Sequence, residues 1–98
     1  MEKIKNRKTP FLAFISLSTD HTPFPKLNEP FNRFPHHATE EGGYLNSLHY
    51  TDWAIGEFFS KAKEEPWFQK TIFVITADHV LAHYQKDGFL ERFRIPLI

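Results

Sequence analysis

The sequence contains no cysteine, which rules out disulfide staples, a thiolate nucleophile and any Cys-ligated metal. It has no charge of one sign in excess: twelve Lys and Arg stand against twelve Asp and Glu, a formal net charge of zero. That balance removes the electrostatic case for nucleic acid and for an anionic membrane surface. It also predicts low solubility near neutral pH. No stretch approaches the roughly 20 consecutive apolar residues of a membrane span. The Lys-rich opening is not followed by an apolar region of signal-peptide length and cleavage character. Taken alone, the chain reads as soluble, and the absence of cysteine fits any compartment.

What is present points to a packed chain. Apolar residues make up 41% of the 98 positions, and eleven of them are Phe, so the composition is globular and not that of a disordered segment. This length allows one small domain that buries somewhat over ~60% of its unfolded surface. Residues 1–10 are polar and basic and read as a solvated lead-in. A functional basic patch is the weaker reading, because no aromatic residue is interleaved with the charges. Residues 11–98 carry the alternation of apolar runs and turn signals expected of the folded part.

The organising stretch is residues 71–80, Thr-Ile-Phe-Val-Ile-Thr-Ala-Asp-His-Val. A β-branched and aromatic run of this length predicts a strand buried on both faces, and it ends on Asp78 and His79. Neighbouring strand residues point to opposite faces, so the two can share one ion only where the strand has ended and the chain turns. Their place just past Ala77 meets that condition. A carboxylate with an imidazole suits Zn²⁺ or Mn²⁺ better than Ca²⁺. For an isolated Asp-His pair the plainer reading, two residues that cap a turn, has the stronger claim, because short motifs match often by chance.

A second buried-strand pattern, Phe-Leu-Ala-Phe-Ile-Ser-Leu, covers residues 11–17 and runs into Ser18-Thr-Asp-His-Thr-Pro-Phe-Pro25. This run too ends in a polar cluster with a His, His21. Residues 20–43 hold Pro23, Pro25, Pro30 and Pro35, which forbid a helix or a central strand. The aromatics Phe24, Phe31 and Phe34 suggest a packed, lid-like loop. His36 and His37, adjacent in that loop, read as surface residues. Gly42 and Gly43 then release a helix over residues 44–65, which Pro66 closes. Leu45, Leu48, Asp52, Ile55, Phe59 and Ala62 recur at alternating spacings of three and four, the stripe of a helix packed on a sheet. Asp52 interrupts that stripe and should be hydrogen-bonded to be tolerated there. His49, at its edge, reads as a core or boundary histidine. Beyond the Asp-His pair, Gly88 offers a turn, and His83, four residues after His79, shares a face with it if a helical turn begins there. Residues 93–98 read as an edge or terminal strand interrupted by Pro96.

The sum is strand, long loop, helix, strand, connection, strand. The expected fold class is α/β, with two buried strands joined through a helix as a right-handed parallel βαβ unit. In such a unit the ends of both strands lie on one sheet edge, where ligands of open α/β sheets collect. His21 then becomes a neighbour of Asp78 and His79, and this convergence is what supports the metal reading.

At these residues the chain resembles the sulfatase-like branch of the alkaline phosphatase superfamily, and within it the lipoteichoic-acid synthase and phosphoglycerol transferase group, with phosphoethanolamine transferases as cousins. Four blocks carry the resemblance: Ser18-Thr-Asp-His-Thr-Pro-Phe, Tyr44-Leu-Asn-Ser-Leu-His-Tyr-Thr-Asp-Trp-Ala-Ile-Gly-Glu-Phe-Phe, Pro66-Trp-Phe-Gln-Lys-Thr-Ile-Phe-Val-Ile-Thr-Ala-Asp-His, and Arg94-Ile-Pro-Leu-Ile. The resemblance implies a doubly wound alkaline-phosphatase-like fold and a metal-dependent transfer or hydrolysis at a phosphate or sulfate ester. It implies Asp78 and His79 as metal ligands, His21 as a contact to the substrate head group, and a divalent metal, manganese or zinc in preference to magnesium or calcium.

Residues 11–98 would then be the C-terminal portion of a sulfatase-like catalytic domain. In the family the nucleophile and a first acidic ligand precede this region, as do membrane helices that anchor an extracytoplasmic, periplasmic catalytic domain in the inner membrane. The expectation is a chain that is inactive alone. Val80 and Leu81 depart from the small or polar residues that commonly follow the Asp-His pair. A different class remains open: a stand-alone remnant βαβ module that binds a partner without catalysis, its exposed sheet edges covered by self-association.

Overall fold

The computed structural model describes residues 9–81, 88–91 and 93–98. Position 83, where a helical turn would align His83 with His79, lies outside the described residues. Helix α1 spans Glu41–Ala62, a single 3-10 turn covers Phe68–Lys70, and a one-turn helix α2 covers Gly88–Glu91. Gly88, where a turn was expected, opens α2 with a positive φ of 53°, a conformation that glycine adopts without a Cβ penalty.

Helix α1 begins three residues earlier than the sequence suggests. Gly42 and Gly43, expected to break the chain ahead of the helix, lie inside its first turn. Their use is close approach. A Cβ at Gly42 would run into the carbonyl oxygen of Pro35, and one at Gly43 into that of His37 and to 3.0 Å from the Cβ of Phe24. The Pro-rich loop therefore lies directly on the helix backbone. Glu41 in the first turn and Lys61 in the last suit the helix dipole. After Ala62 the chain tightens through turns ending at Pro66, with Phe68 N–H donating to the Glu65 carbonyl at 3.1 Å.

The face of α1 buried against the loop is polar, and further on Ala62 is fully buried. Asn46 and Ser47 are fully buried and Thr51 nearly so, and with Gly43 they run down the side that meets the loop. Asn46 holds the loop through three bonds. Its Oδ1 accepts from Phe34 N–H at 2.9 Å, and its Nδ2 donates to the Phe34 carbonyl at 2.9 Å and to Asn32 Oδ1 at 3.1 Å. The loop is anchored again by Phe24, which is 3% exposed, packs against Tyr44 at 5.8 Å and donates its N–H to the Ala38 carbonyl at 2.6 Å. Phe31 lies among His49, Tyr50 and Trp53 at ring separations of 5.1–5.7 Å.

The expected parallel βαβ unit of a doubly wound α/β fold is not formed. Among the described residues there is no strand and no sheet, and the one isolated bridge joins Thr76 to Leu97 in the antiparallel sense. There Ile75 and Ile98 exchange both backbone bonds, at 2.9 and 3.0 Å, and Thr76 Oγ1 donates to the Pro96 carbonyl at 2.9 Å. A strand buried on both faces needs a layer on each side, and the apolar runs have cover on one side at most. Phe73 packs on Phe58, Phe59, Trp67 and Phe68, and Phe11 on Trp67. The opposite faces stay in solvent: Leu12 is 97% exposed, Phe14 91% and Ile72 91%. The radius of gyration, 16.3 Å, accordingly exceeds the ~13 Å of a compact domain of this length.

Candidate functional site

His21 sits at the end of a tight turn. Its N–H donates to the Ser18 carbonyl at 3.2 Å, closing the turn over Thr19 and Asp20. Its ring nitrogen Nδ1 lies 2.6 Å from the Thr22 carbonyl. A carbonyl oxygen only accepts, so Nδ1 carries the hydrogen and Nε2 is left as the ring nitrogen able to meet a ligand. The imidazole is exposed, while the residues on either side of it are tied to α1: Asp20 through Thr51, whose Oγ1 donates to Asp20 Oδ1 at 3.1 Å, and Phe24 through Tyr44.

Half-burial raises the pKa of Asp20, and the Thr51 hydroxyl bond pulls it partly back. Tyr44 is raised as well, first by its own burial and then by the charge of Asp20. Sequence reasoning singled out His21 here and passed over Asp20, Tyr44, Thr51 and Asn46. The available signal was Asn46 and Thr51 in mid-helix, where such side chains compete with the backbone for hydrogen bonds and persist best when bonded elsewhere.

Asp78 and His79 follow the extended run, where the chain bends. Asp78 Oδ1 accepts from the His79 N–H at 3.0 Å, and His79 Nδ1 donates to the Val80 carbonyl at 2.8 Å. Both committed atoms are thereby turned away from one another. The two that remain, Asp78 Oδ2 and His79 Nε2, face each other at 3.7 Å. With Nδ1 bonded to a carbonyl, Nε2 and Asp78 Oδ2 are the atoms of the pair left to meet a ligand. Two ligands each ~2.1 Å from one ion at a near-tetrahedral angle stand about 3.4 Å apart, so the pair at 3.7 Å is a little wider than a shared divalent ion would hold it. A ligating imidazole held by a backbone carbonyl through its other nitrogen is also the usual outer-shell arrangement. Both side chains are largely exposed.

Among the described residues, no group of three or more His, Cys, Asp or Glu is placed to hold one ion. His21 therefore does not join Asp78 and His79 in such a cluster. Its expected convergence with them was argued from a parallel sheet edge that is not formed.

The first half of the stripe expected to pack on a sheet lines an open groove of about 440 Å³ instead, bounded by Leu45, Leu48, His49, Thr51, Asp52 and Ile55, while Phe59 packs on Phe73 and Ala62 is fully buried. Asp52 is exposed there and so needs no bonded burial. His49 is half-buried against Phe31, a boundary histidine. Of the adjacent pair in the loop, His37 is exposed, 3.9 Å from Glu40, while His36 is half-buried with its Nδ1 unpaired. Among the described residues no helix is long and apolar enough to cross a membrane.

A family model described as Sulfatase matches residues 1–98. No solved structure matches the chain.

Proposed function

The chain belongs to the sulfatase family, and on that premise we propose that it forms part of a metal-dependent phosphoglycerol or phosphoethanolamine transferase, or of a related hydrolase, acting on phosphate or sulfate esters. The family generally uses a divalent metal. Asp78 Oδ2 and His79 Nε2 are the atoms that would hold it, with manganese or zinc preferred by the oxygen-plus-imidazole donor set. The observation that carries this reading is the 3.7 Å pair of ligand atoms, each presented by a side chain whose other polar atom is committed to the backbone. A bound divalent ion would supply charge neutralisation at the ester oxygens and a lowered pKa for an attacking hydroxyl.

His21 has the second role, at the ester head group. With Nδ1 tied to the Thr22 carbonyl, its Nε2 donates to an anionic oxygen when the ring is protonated and accepts a hydroxyl proton when it is neutral. The transferase reading over a simple sulfatase rests on the four blocks of resemblance, Ser18-Thr-Asp-His-Thr-Pro-Phe above all.

Calorimetric titration of the purified chain with Zn²⁺, and line broadening of the His79 ring signals by Mn²⁺, test the metal assignment. Weak binding is expected, because two protein ligands are fewer than the three of a typical catalytic zinc site. Asp78→Ala with His79→Ala should abolish it. Binding that survives the double substitution unchanged would assign the ion to other residues.

A further inference from the structure

His21 is exposed in a short stretch, residues 20–24, that is anchored at both ends. Downstream, Phe24 is buried on Tyr44 and bonded to the Ala38 carbonyl. Upstream, the anchor is a single side-chain bond that spans 31 positions in the chain, from Thr51 of α1 to Asp20. Asp20 occupies a central position of the turn that His21 closes. With Asp20 fixed to the helix, the turn has one orientation on α1, and the imidazole that ends it has one direction. Thr51 is 8% exposed, so water does not readily replace its partner.

We propose that Asp20 is a positioning residue for His21: gripped by Thr51, it fixes the turn that locks the imidazole as the Nδ1–H form and presents Nε2 to the ligand. This rests on the reading that His21 meets the ester head group, and it adds that helix α1, through Thr51, sets where that contact is made. What matters in Asp20 is the acceptor oxygen Oδ1, not the charge. An amide at position 20 preserves the device, and loss of the hydroxyl at position 51 breaks it.

The test uses histidine-ring nitrogen-15 NMR on the purified chain, in alkaline buffer where ordinary imidazoles are neutral. A free neutral histidine side chain favours the Nε2–H form, so a His21 held as Nδ1–H is a signature of the lock, and it is read in variants whose amide spectra show the buried Phe24 still in its wild-type place. Wild type is expected to show Nδ1–H. Thr51→Val and Asp20→Ala should both drift towards Nε2–H, whereas Thr51→Ser and Asp20→Asn should retain the wild-type form. If Thr51→Val does not fold, Asp20→Ala removes the same bond from the other side and decides the matter.

A parallel titration with inorganic sulfate in mildly acidic buffer, read at the His21 ring, should weaken about fivefold in Thr51→Val and Asp20→Ala, the size expected of one hydrogen bond. It should stay at the wild-type value in the two conservative variants. The positioning role is overturned if Thr51→Val and Asp20→Ala keep the wild-type tautomer, or if Asp20→Asn loses it. A wild-type His21 ring that responds to no concentration of sulfate or phosphate overturns the head-group role instead, and the tautomer comparison still decides the positioning of the ring.

Discussion

Helix α1 and the loop ahead of it hold each other through polar atoms, whereas the apolar runs at 11–17, 71–77 and 93–98 carry many of the large hydrophobic side chains and leave them in solvent. In the first region a fully buried asparagine makes three bonds and a nearly buried threonine makes one. In the second, Leu12, Phe14 and Ile72 are at least 91% exposed, and the β-pairing among the described residues is one antiparallel bridge. The difference lies in where the partners come from. A side-chain clasp finds its partner within about a dozen to thirty residues, so a loop and a helix suffice to satisfy it. A strand that is apolar on both faces needs two covering layers and two neighbouring strands, and a chain of this length supplies one side of one layer. The candidate ligand groups divide along the same line, with His21 on the clasped side and Asp78 and His79 on the open one.

The comparison is broken most directly at Asn46. Asn46→Ala removes three bonds at once from a fully buried position. At about 1 kcal/mol each this should cost about 3 kcal/mol in urea unfolding and release the Phe34 amide to rapid hydrogen exchange. A loss under about 0.5 kcal/mol, with Phe34 still protected, would mean that something other than the clasp holds the loop.

The open region should respond more weakly and on one face only. Phe73 touches four aromatic rings but is only half-buried, so Phe73→Ala should cost about 2 kcal/mol, below the range of fully buried phenylalanines. Ile72→Ala, next to it and on the exposed face, should fall within about 0.5 kcal/mol of wild type. Equal costs at the two positions would show that the outer face is covered in solution.

How much of this was legible follows the same division. The helix was readable from its 3-and-4 spacing, and its end near Pro66 from the missing N–H. The face it buries was legible only at its end: the pattern marked Phe59 and Ala62, which are covered, but also Leu45, Leu48 and Ile55, which bound an open groove, while Asn46, Ser47 and Thr51 are buried. Hydrophobic periodicity finds a buried face only when the covering layer is apolar. Here the cover is loop backbone, which demands hydrogen bonds and, at Gly42 and Gly43, the absence of a Cβ. The runs at 11–17 and 71–77 are apolar, but the strands expected there are not formed, because pairing depends on neighbours that composition cannot locate. At the candidate site, Asp78, His79 and His21 were named from type and position. The carbonyl partners that fix which nitrogen each ring presents, and Asp20 with Thr51, follow from turn geometry that no spacing rule encodes.

The smallest effect sharpens the comparison by its sign. Burial raises the pKa of Asp20, so the folded chain binds that proton more readily than the unfolded chain does. Such a group contributes stability below its unfolded pKa, and the contribution is lost as pH rises through the higher folded value. At neutral pH the ionised carboxylate therefore carries a desolvation cost that the Thr51 bond only partly offsets. Asp20→Asn keeps an acceptor for Thr51 and sheds the charge. It should raise the melting temperature slightly at neutral pH, and the gap should close as pH falls through the ordinary carboxylate range. It should also bring the Tyr44 titration part of the way down, since the charge of Asp20 is the lesser cause of that shift and burial remains. A variant that is less stable than wild type at neutral pH, or a gap that widens in acid, would place the ionised carboxylate among the stabilising contacts of the clasp and reverse the assignment of its cost.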